Sequence, residues 1–211
     1  MSILKVDTVN EKSTNGNIAV IPTGSGKLVL DGLTWPHADG SAGQIIKSNG
    51  SSVLSFIDAP GLTQSAVQAT TSGTSVTFGS IPAGVKMIIV TFTTVSFSGS
   101  ANIKVQIGDA GGIESSGYIS SAMHVSTDVH VTDSFLMYSQ GQGANAASGS
   151  MICTLQDADN FTWVESVSGG SDSSSHGSTS GGGTKSLSAE LTQVKVSGGT
   201  FDLGKISIVF M

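Results

Sequence analysis

The chain has 211 residues, 28 of them glycine, and only 11% are charged; an average soluble domain has about 7% glycine and about 25% charged residues. Fifteen acids against nine lysines, with no arginine, leave a formal charge of −6 and a pI near 4.9. That charge disfavours nucleic acid and anionic membrane surfaces, which both require clustered basic side chains.

A hydrophobic fraction of 38% excludes a charge-swollen disordered chain. The longest strongly apolar run, Met87-Ile88-Ile89-Val90, is far short of the ~20 residues that span a bilayer. No membrane insertion is therefore expected. Cys153, the single cysteine, has no intrachain disulfide partner, so the reading is a fold in a reducing compartment.

Residues 1–61 carry short apolar pieces, Ile18-Ala19-Val20, Leu28-Val29-Leu30 and Val53-Leu54-Ser55-Phe56, separated by Asn15-Gly16, Thr23-Gly24-Ser25-Gly26 and Asn49-Gly50. Such a segment buries too little surface to fold alone. Three copies wound about one axis would cover those positions. The expectation is an extended N-terminal short-strand segment, 1–61, that trimerises and attaches to a larger particle. Leu4, Val6, Val9, Ile18, Val20 and Trp35 are the candidate anchor residues. The competing reading is a disordered linker.

Residues 62–211 change character. Ser, Thr, Gly and β-branched residues dominate, which suit strands and turns, and apolar residues recur with period two. Ile103, Val105 and Ile107 alternate with Asn102, Lys104 and Gln106. Val125, Thr127, Val129 and Val131 share one parity and His124, Ser126, Asp128 and His130 the other, as if in one strand. Met151-Cys153-Leu155, Leu187-Ala189-Leu191 and Ile206-Ile208-Phe210 repeat the pattern. Parity slips from Phe92 and Thr94 to Val95 and Phe97, and from Leu191 to Val194 and Val196, which calls for a bulge or bend. Turn signals at Ile81-Pro82-Ala83-Gly84, Ser98-Gly99-Ser100, Asp109-Ala110-Gly111-Gly112 and Ser197-Gly198-Gly199 punctuate the strands. The fold class expected is all-β, with 62–211 an antiparallel β-sandwich of jelly-roll or Ig-like type. The Ser/Gly run Ser168–Gly183, between strands at Phe161–Val167 and Leu187–Leu191, reads as a long exposed loop.

Motifs for chemistry are wanting. Gly24-Ser25-Gly26-Lys27 lacks the first glycine and the final Ser/Thr of a phosphate loop, since Ile21 and Leu28 stand there. Gly141-Gln142-Gly143-Ala144-Asn145-Ala146 has no βαβ context. His37, His124, His130 and His176 lack zinc-site spacing. Asp157-Ala158-Asp159-Asn160 lacks the glycine and distal glutamate of a calcium loop. Glu114, Glu165 and Glu190 show no pairing, and Cys153 shares the parity of Met151 and Leu155, as a buried apolar residue would. Trp163 reads as core and Tyr118 as exposed. No cofactor, no metal and no enzymatic activity are expected.

The pieces Val6–Lys12, Lys27–Pro36 and Ala38–Gly50 with Val53–Phe56 resemble segments common in phage tail fibres. Ile81–Lys86, Val105–Tyr118 and Phe201–Ile208 are similar to β-sandwich modules of phage fibre and other virion proteins. The resemblance implies a homotrimeric virion appendage. Its N-terminal segment would be held by tail, baseplate or capsid proteins, and its distal module would meet a bacterial surface glycan or outer-membrane protein. A chain of this length implies a stubby fibre. The contact loops expected are Gly111–Tyr118, Gln140–Ser150 and Ser168–Gly183, with Glu114, Ser115, Tyr118, Gln142, Asn145, Ser174 and His176 as candidate receptor contacts. A capsid decoration or head-fibre protein, and a carbohydrate-binding module, are the alternatives.

Overall fold

In a computed structural model of the chain, the structure describes Pro22 and residues 25–124, 127–138, 145–172 and 177–211. The candidate anchor residues Leu4, Val6, Val9, Ile18 and Val20, and the candidate contacts Gln142, Ser174 and His176, lie outside the described residues. Every helix or strand element among the described residues is a strand, as the β-branched, Ser- and Gly-rich composition demands. The chain divides into two compact units, Met1–Pro60 and Gly61–Met211.

The described part of the first unit holds two small hairpins. Strands β1 (Val29–Leu30) and β2 (Leu33–Thr34) are joined through Asp31-Gly32, both at positive φ (50° and 77°). Two positive φ values match the right-handed twist of the flanking strands. Strands β3 (Gln44–Ser48) and β4 (Leu54–Asp58) pair from Gln44↔Asp58 to Ser48↔Leu54. Their turn is held by the Asn49 side-chain oxygen Oδ1, which accepts from the Ser51 and Val53 amides at 2.8 and 3.2 Å. None of the described residues of this unit is buried. Val29, Leu30, Leu33, Trp35, Ile45, Ile46 and Val53 are all exposed. A two-stranded sheet has no second layer to receive such side chains.

The second unit runs β5 (Thr63–Gln64), β6 (Gln68–Ala69), β7 (Ser75–Phe78), β8 (Met87–Phe97), β9 (Ile103–Asp109), β10 (Gly112–Ile113), β11 (Ile119–His124), β12 (Thr127–Val131), β13 (Phe135–Tyr138), β14 (Ala147–Asp157), β15 (Thr162–Ser171), β16 (Ser178–Ser186), β17 (Gln193–Ser197) and β18 (Phe201–Phe210). Its larger sheet follows the order β12-β11-β16-β15-β14-β8-β18, with β5 and β6 both on β18. The smaller follows β10-β9-β17-β7, with β13 also on β9. All named pairings are antiparallel. One apolar cluster draws on both sheets: Ile103, Val105, Ile107, Phe135, Val194 and Val196 from the smaller, and Ile88, Val90, Phe92, Met151, Cys153, Trp163, Ile206 and Ile208 from the larger. The period-two positions of β9, β14 and β18 thus face the core.

The parity slip in β8 is a bulge. Ile88, Val90 and Phe92 point inward, Thr93 and Thr94 are exposed, and Val95 and Phe97 point inward again. Thr94 takes φ 50°, the register against β18 shifts there, and Gly204 at φ 103° lies so close that a Cβ would sit 2.5 Å from the Thr94 carbonyl oxygen.

Three readings need correction. The Ser/Gly run is not one exposed loop, because β15 continues to Ser171 and β16 begins at Ser178. Its glycines are what the sheet requires. The Phe92 ring covers Gly149 and Gly169, where added Cβ atoms would lie 3.0 and 3.2 Å from its Cζ. At Gly181 and Gly183 a Cβ would fall 2.3 and 2.4 Å from the Ser121 and Ile119 carbonyl oxygens, so β11 curls over β16 only where side chains are missing. Second, Leu187–Leu191 is a bent connection, with Leu187 and Leu191 buried and Ala189 exposed. Third, His124 and His130 belong to two paired strands: His124 lies opposite Thr127 and His130 opposite Ser121.

Val is a better strand former than Gly, so propensity alone predicts that Gly181→Val stabilises. The close approach of the Ser121 carbonyl predicts the reverse. Urea unfolding of Gly181→Val is expected to show a loss of about 1–3 kcal/mol, the cost of overpacking a closed site.

Candidate binding surface

The strand directions sort the candidate contacts onto two ends of the second unit. Chain entry is at one end, where Thr63 pairs with Phe210 and the Met211 carbonyl accepts from the Lys86 and Met87 amides. The Gly111–Tyr118 loop lies at that same end, since Ile119 pairs with Thr184 near the end of β16. Asn145 is at the opposite end, beside Ala147↔Ser171 and Gly170↔Ser178. β15 alone, at 10 residues, separates the ends by about 30 Å. The expected contacts therefore form no single site.

At the entry end the loop is clamped. The Tyr118 hydroxyl accepts from the Ile107 amide at 2.9 Å and faces the carbonyls of Glu114 and Ile107 at 3.0 and 3.2 Å. Its ring packs edge-on against Phe135, centroids 5.0 Å apart, with the Lys185 ammonium 5.5 Å from its own centroid. Tyr118 is 1% exposed, so the expectation of a surface tyrosine is overturned. Burial pushes its phenol well above the ordinary value. An aromatic with a polar tip buries readily where its hydroxyl finds partners, and here the backbone of β9 supplies them.

Glu114 is also engaged. Its carboxylate meets the Lys185 ammonium and accepts from the Ser188 amide at 3.1 Å. Burial pushes this carboxyl up, but the Lys185 ammonium and the Ser188 N–H together outweigh it and hold it below the usual range. Asp109 continues the lattice, accepting from the Ser188 hydroxyl at 2.6 Å and the Gly111 amide at 2.7 Å. Only Ser115, Ser116 and Gly117, with Ala110 and Gly111, remain exposed along residues 110–118.

A small cleft of about 60 Å³ opens at this end among Val85, Leu155, Phe161, Trp163 and Leu191, with Lys86 and Glu190 also lining it. The Glu190 carboxylate accepts from the Gly84 amide and so closes the Pro82–Gly84 turn.

At the far end, Asp172 ties the start of β14 to the end of β15. Its carboxylate accepts from the Ala146 amide at 2.7 Å and its amide donates to the Ala146 carbonyl at 3.1 Å. The Ser148 hydroxyl accepts from the Thr94 amide at 2.8 Å, which fixes the bulge of β8 beside it. The His124 ring fills the space that a side chain at 177 would need, 1.8 Å from an added Cβ on Gly177. Asn145 is half-buried there. Trp35, the remaining anchor candidate, is exposed in the first unit.

Glu165 had no visible partner in the sequence, and β-pairing supplies one. It lies opposite Cys153 and Gly183, faces inward, and is 3% exposed. The Leu136 amide donates to the Ser120 hydroxyl at 3.0 Å, and that hydroxyl donates to Glu165 Oε1 at 3.1 Å. Glu165 Oε2 has no hydrogen-bond partner. Burial, only partly offset by Ser120, pushes this carboxyl up to about 7, and burial with the Glu165 charge also pushes the Cys153 thiol up. A thiol held protonated makes a poor nucleophile. Inward parity at position 165 is the signal that would have revealed this carboxyl, because it repeats that of Trp163 and Val167. Among the described residues no three His, Cys, Asp or Glu side chains come together as a metal site.

With this geometry in hand, comparison with protein-family models, curated proteins and solved structures finds no match for the chain.

The Glu165 carboxyl carries a stability signature. The folded state binds its proton more tightly than the unfolded chain, so stability falls as pH rises from about 4.5 to about 7 and then levels off. The full drop attributable to this group is about 3 kcal/mol. Urea unfolding at pH 5 and pH 8 is expected to show most of that drop in the wild-type chain and to lack it in Glu165→Gln.

Proposed function

We propose that the chain is a phage virion structural protein, a short homotrimeric tail fibre that attaches to the bacterial surface by non-covalent binding. The observation carrying this reading is the contrast between the units. Gly61–Met211 closes a core from two sheets, whereas the described part of Met1–Pro60 leaves Val29, Leu30, Leu33, Trp35, Ile45, Ile46 and Val53 in water. Water does not favour seven such side chains on two-stranded sheets unless other surfaces cover them. In this reading the covers are two sister chains and a tail, baseplate or capsid protein, and the two sheets of the second unit act as an antiparallel β-sandwich.

The end bearing Asn145, away from chain entry, is then the face presented to a surface glycan or outer-membrane protein. Gln142, Ser174 and His176, which lie outside the described residues, follow β13 and β15 in the sequence and are assigned to this face by the proposal. Three linked copies raise the effective concentration at a surface, so weak single contacts suffice. Ser, Asn, Gln and Gly supply adaptable hydrogen bonding of the kind used in other loop-built binding surfaces. The clamped Glu114–Tyr118 loop, at the entry end, serves the fold instead. No chemistry is required of the protein.

Two readouts test this. Antibody against the second unit should label the tails of intact particles; label on the shell would favour a head fibre, and unlabelled particles would contradict a virion role. With particles carrying the combined Asn145→Ala and His176→Ala changes, adsorption to host cells should fall about tenfold or more, because the loss is repeated in each linked copy. Ser115→Ala should leave adsorption unchanged. Equal losses for both would contradict the assignment of the far end.

A further inference from the structure

Strand β13 belongs to the smaller sheet yet packs on β11, β14, β15 and β16 of the larger one. Its named pairing is with β9 alone, through Phe135↔Val105 and Leu136↔Lys104. By contrast β14, β15, β16 and β11 are each paired along both edges. Phe135, Leu136 and Met137 have no exposed surface. A polar tie also crosses between the sheets. The Leu136 amide donates to the Ser120 hydroxyl at 3.0 Å, and that hydroxyl gives its single proton to Glu165 Oε1 at 3.1 Å. One carboxyl of β15 thus reaches, through one hydroxyl of β11, a backbone amide of β13.

The surroundings of that carboxyl suit its neutral form. Oε2 is buried with no hydrogen-bond partner. The titratable groups that adjoining elements turn inward are neutral or engaged elsewhere. Burial keeps the Cys153 thiol of β14 protonated. The Lys185 ammonium of β16 meets Glu114 and donates to the Ser186 carbonyl at 2.7 Å. The Tyr118 hydroxyl, just before β11, is bound to the backbone of β9. Asp133, just before β13, accepts from the Lys104 ammonium of β9 at 2.8 Å. Among the described residues no ion pair reaches Glu165. A buried carboxyl placed this way either keeps its proton or has to gain water when it loses it.

We infer that Glu165 is a pH-controlled latch on β13: the neutral acid leaves the strand seated on the larger sheet, and the carboxylate promotes a local opening in which β13 lifts and water reaches Oε2. β13 is the element that yields because it is four residues long and paired on one edge, whereas freeing Glu165 from β14 or β16 breaks a ladder in the middle of the larger sheet. Openings of this kind proceed through the least-anchored segment. Phe135, Leu136 and Met137 meet water when it lifts, so the open state stays the minor one, and pH changes its population. The sign follows from burial. The seated carboxyl titrates at about 7 and a solvated one at 4.5, so opening is constant below about pH 4.5, grows as pH rises to about 7, and then levels off. Between pH 5 and pH 8 the open fraction rises about 70-fold. The latch operates whatever surface the protein binds.

Amide hydrogen exchange of the full chain between pH 5 and pH 8, with each rate divided by the intrinsic rate at that pH, supplies the test. The Leu136 amide is expected to be less protected than the Ile88 and Val90 amides of β8 throughout, because β13 opens ahead of the whole fold. Its protection should fall about 70-fold from pH 5 to pH 8, levelling off once the Glu165 carboxyl has titrated. The carbon-13 shift of that carboxyl reports its titration directly and should have its midpoint near pH 7. Glu165→Gln keeps an acceptor for Ser120 but cannot ionise, and should abolish the pH dependence at Leu136. If that variant does not fold, the wild-type data decide, since protection at Leu136 has to follow the Glu165 titration. Protection at Leu136 equal to that in β8 at every pH means that β13 leaves only with the whole fold, and overturns the inference. Protection that ignores pH, or a Glu165 midpoint below about pH 6, overturns it too. An unchanged pH dependence in Glu165→Gln does the same and assigns the effect to another group.

Discussion

A β-sheet hides apolar side chains only when something lies against its face, and this requirement divides the molecule. In the second unit two sheets meet over one cluster, where Ile88, Val95, Phe97, Ile103, Ile107 and Phe135 have no exposed surface. Among the described residues of the first, hairpins of two and five residues per strand stand without a second layer. Full burial of one such side chain contributes about 1.5–3 kcal/mol, and each of the seven is between 36% and 53% exposed, so together they forgo several kcal/mol, a sum comparable with the whole stability of a domain. The proposed trimer and the proposed attachment to a particle both follow from that imbalance.

Glycine allows the second unit to close. Where β11 curls over β16, and where Phe92 lies across β14 and β15, backbone approaches backbone or ring more closely than any Cβ permits.

Much of the architecture was legible in the sequence because period two survives in single strands. Ile103-Val105-Ile107 and Met151-Cys153 face the core as their alternation implies, and the Phe92–Val95 slip is a bulge at Thr94. What escaped depends on contacts between strands. Ser168–Gly183 has a loop's composition, yet pairing on both sides holds most of it in β15 and β16. Tyr118, after a glycine-rich turn, has nothing in its neighbourhood to announce the Ile107 backbone that receives its hydroxyl. Glu165 looks like an ordinary strand carboxylate until Cys153 and Gly183 flank it. Of the candidate contacts, Glu114 and Tyr118 are bound into the fold, while Asn145 lies some 30 Å away along β15.

Hydrogen exchange of the Gln44–Ser48 amides, followed as the full chain is diluted, reports most directly whether those hairpins depend on sister chains. An isolated two-stranded hairpin is marginal in water, so slow exchange there requires cover from another surface. We expect these amides to be protected at high concentration and to lose protection on dilution, while those of β14 and β15 stay protected throughout. Protection that persists unchanged into the monomeric range, or fast exchange at every concentration, would contradict the account.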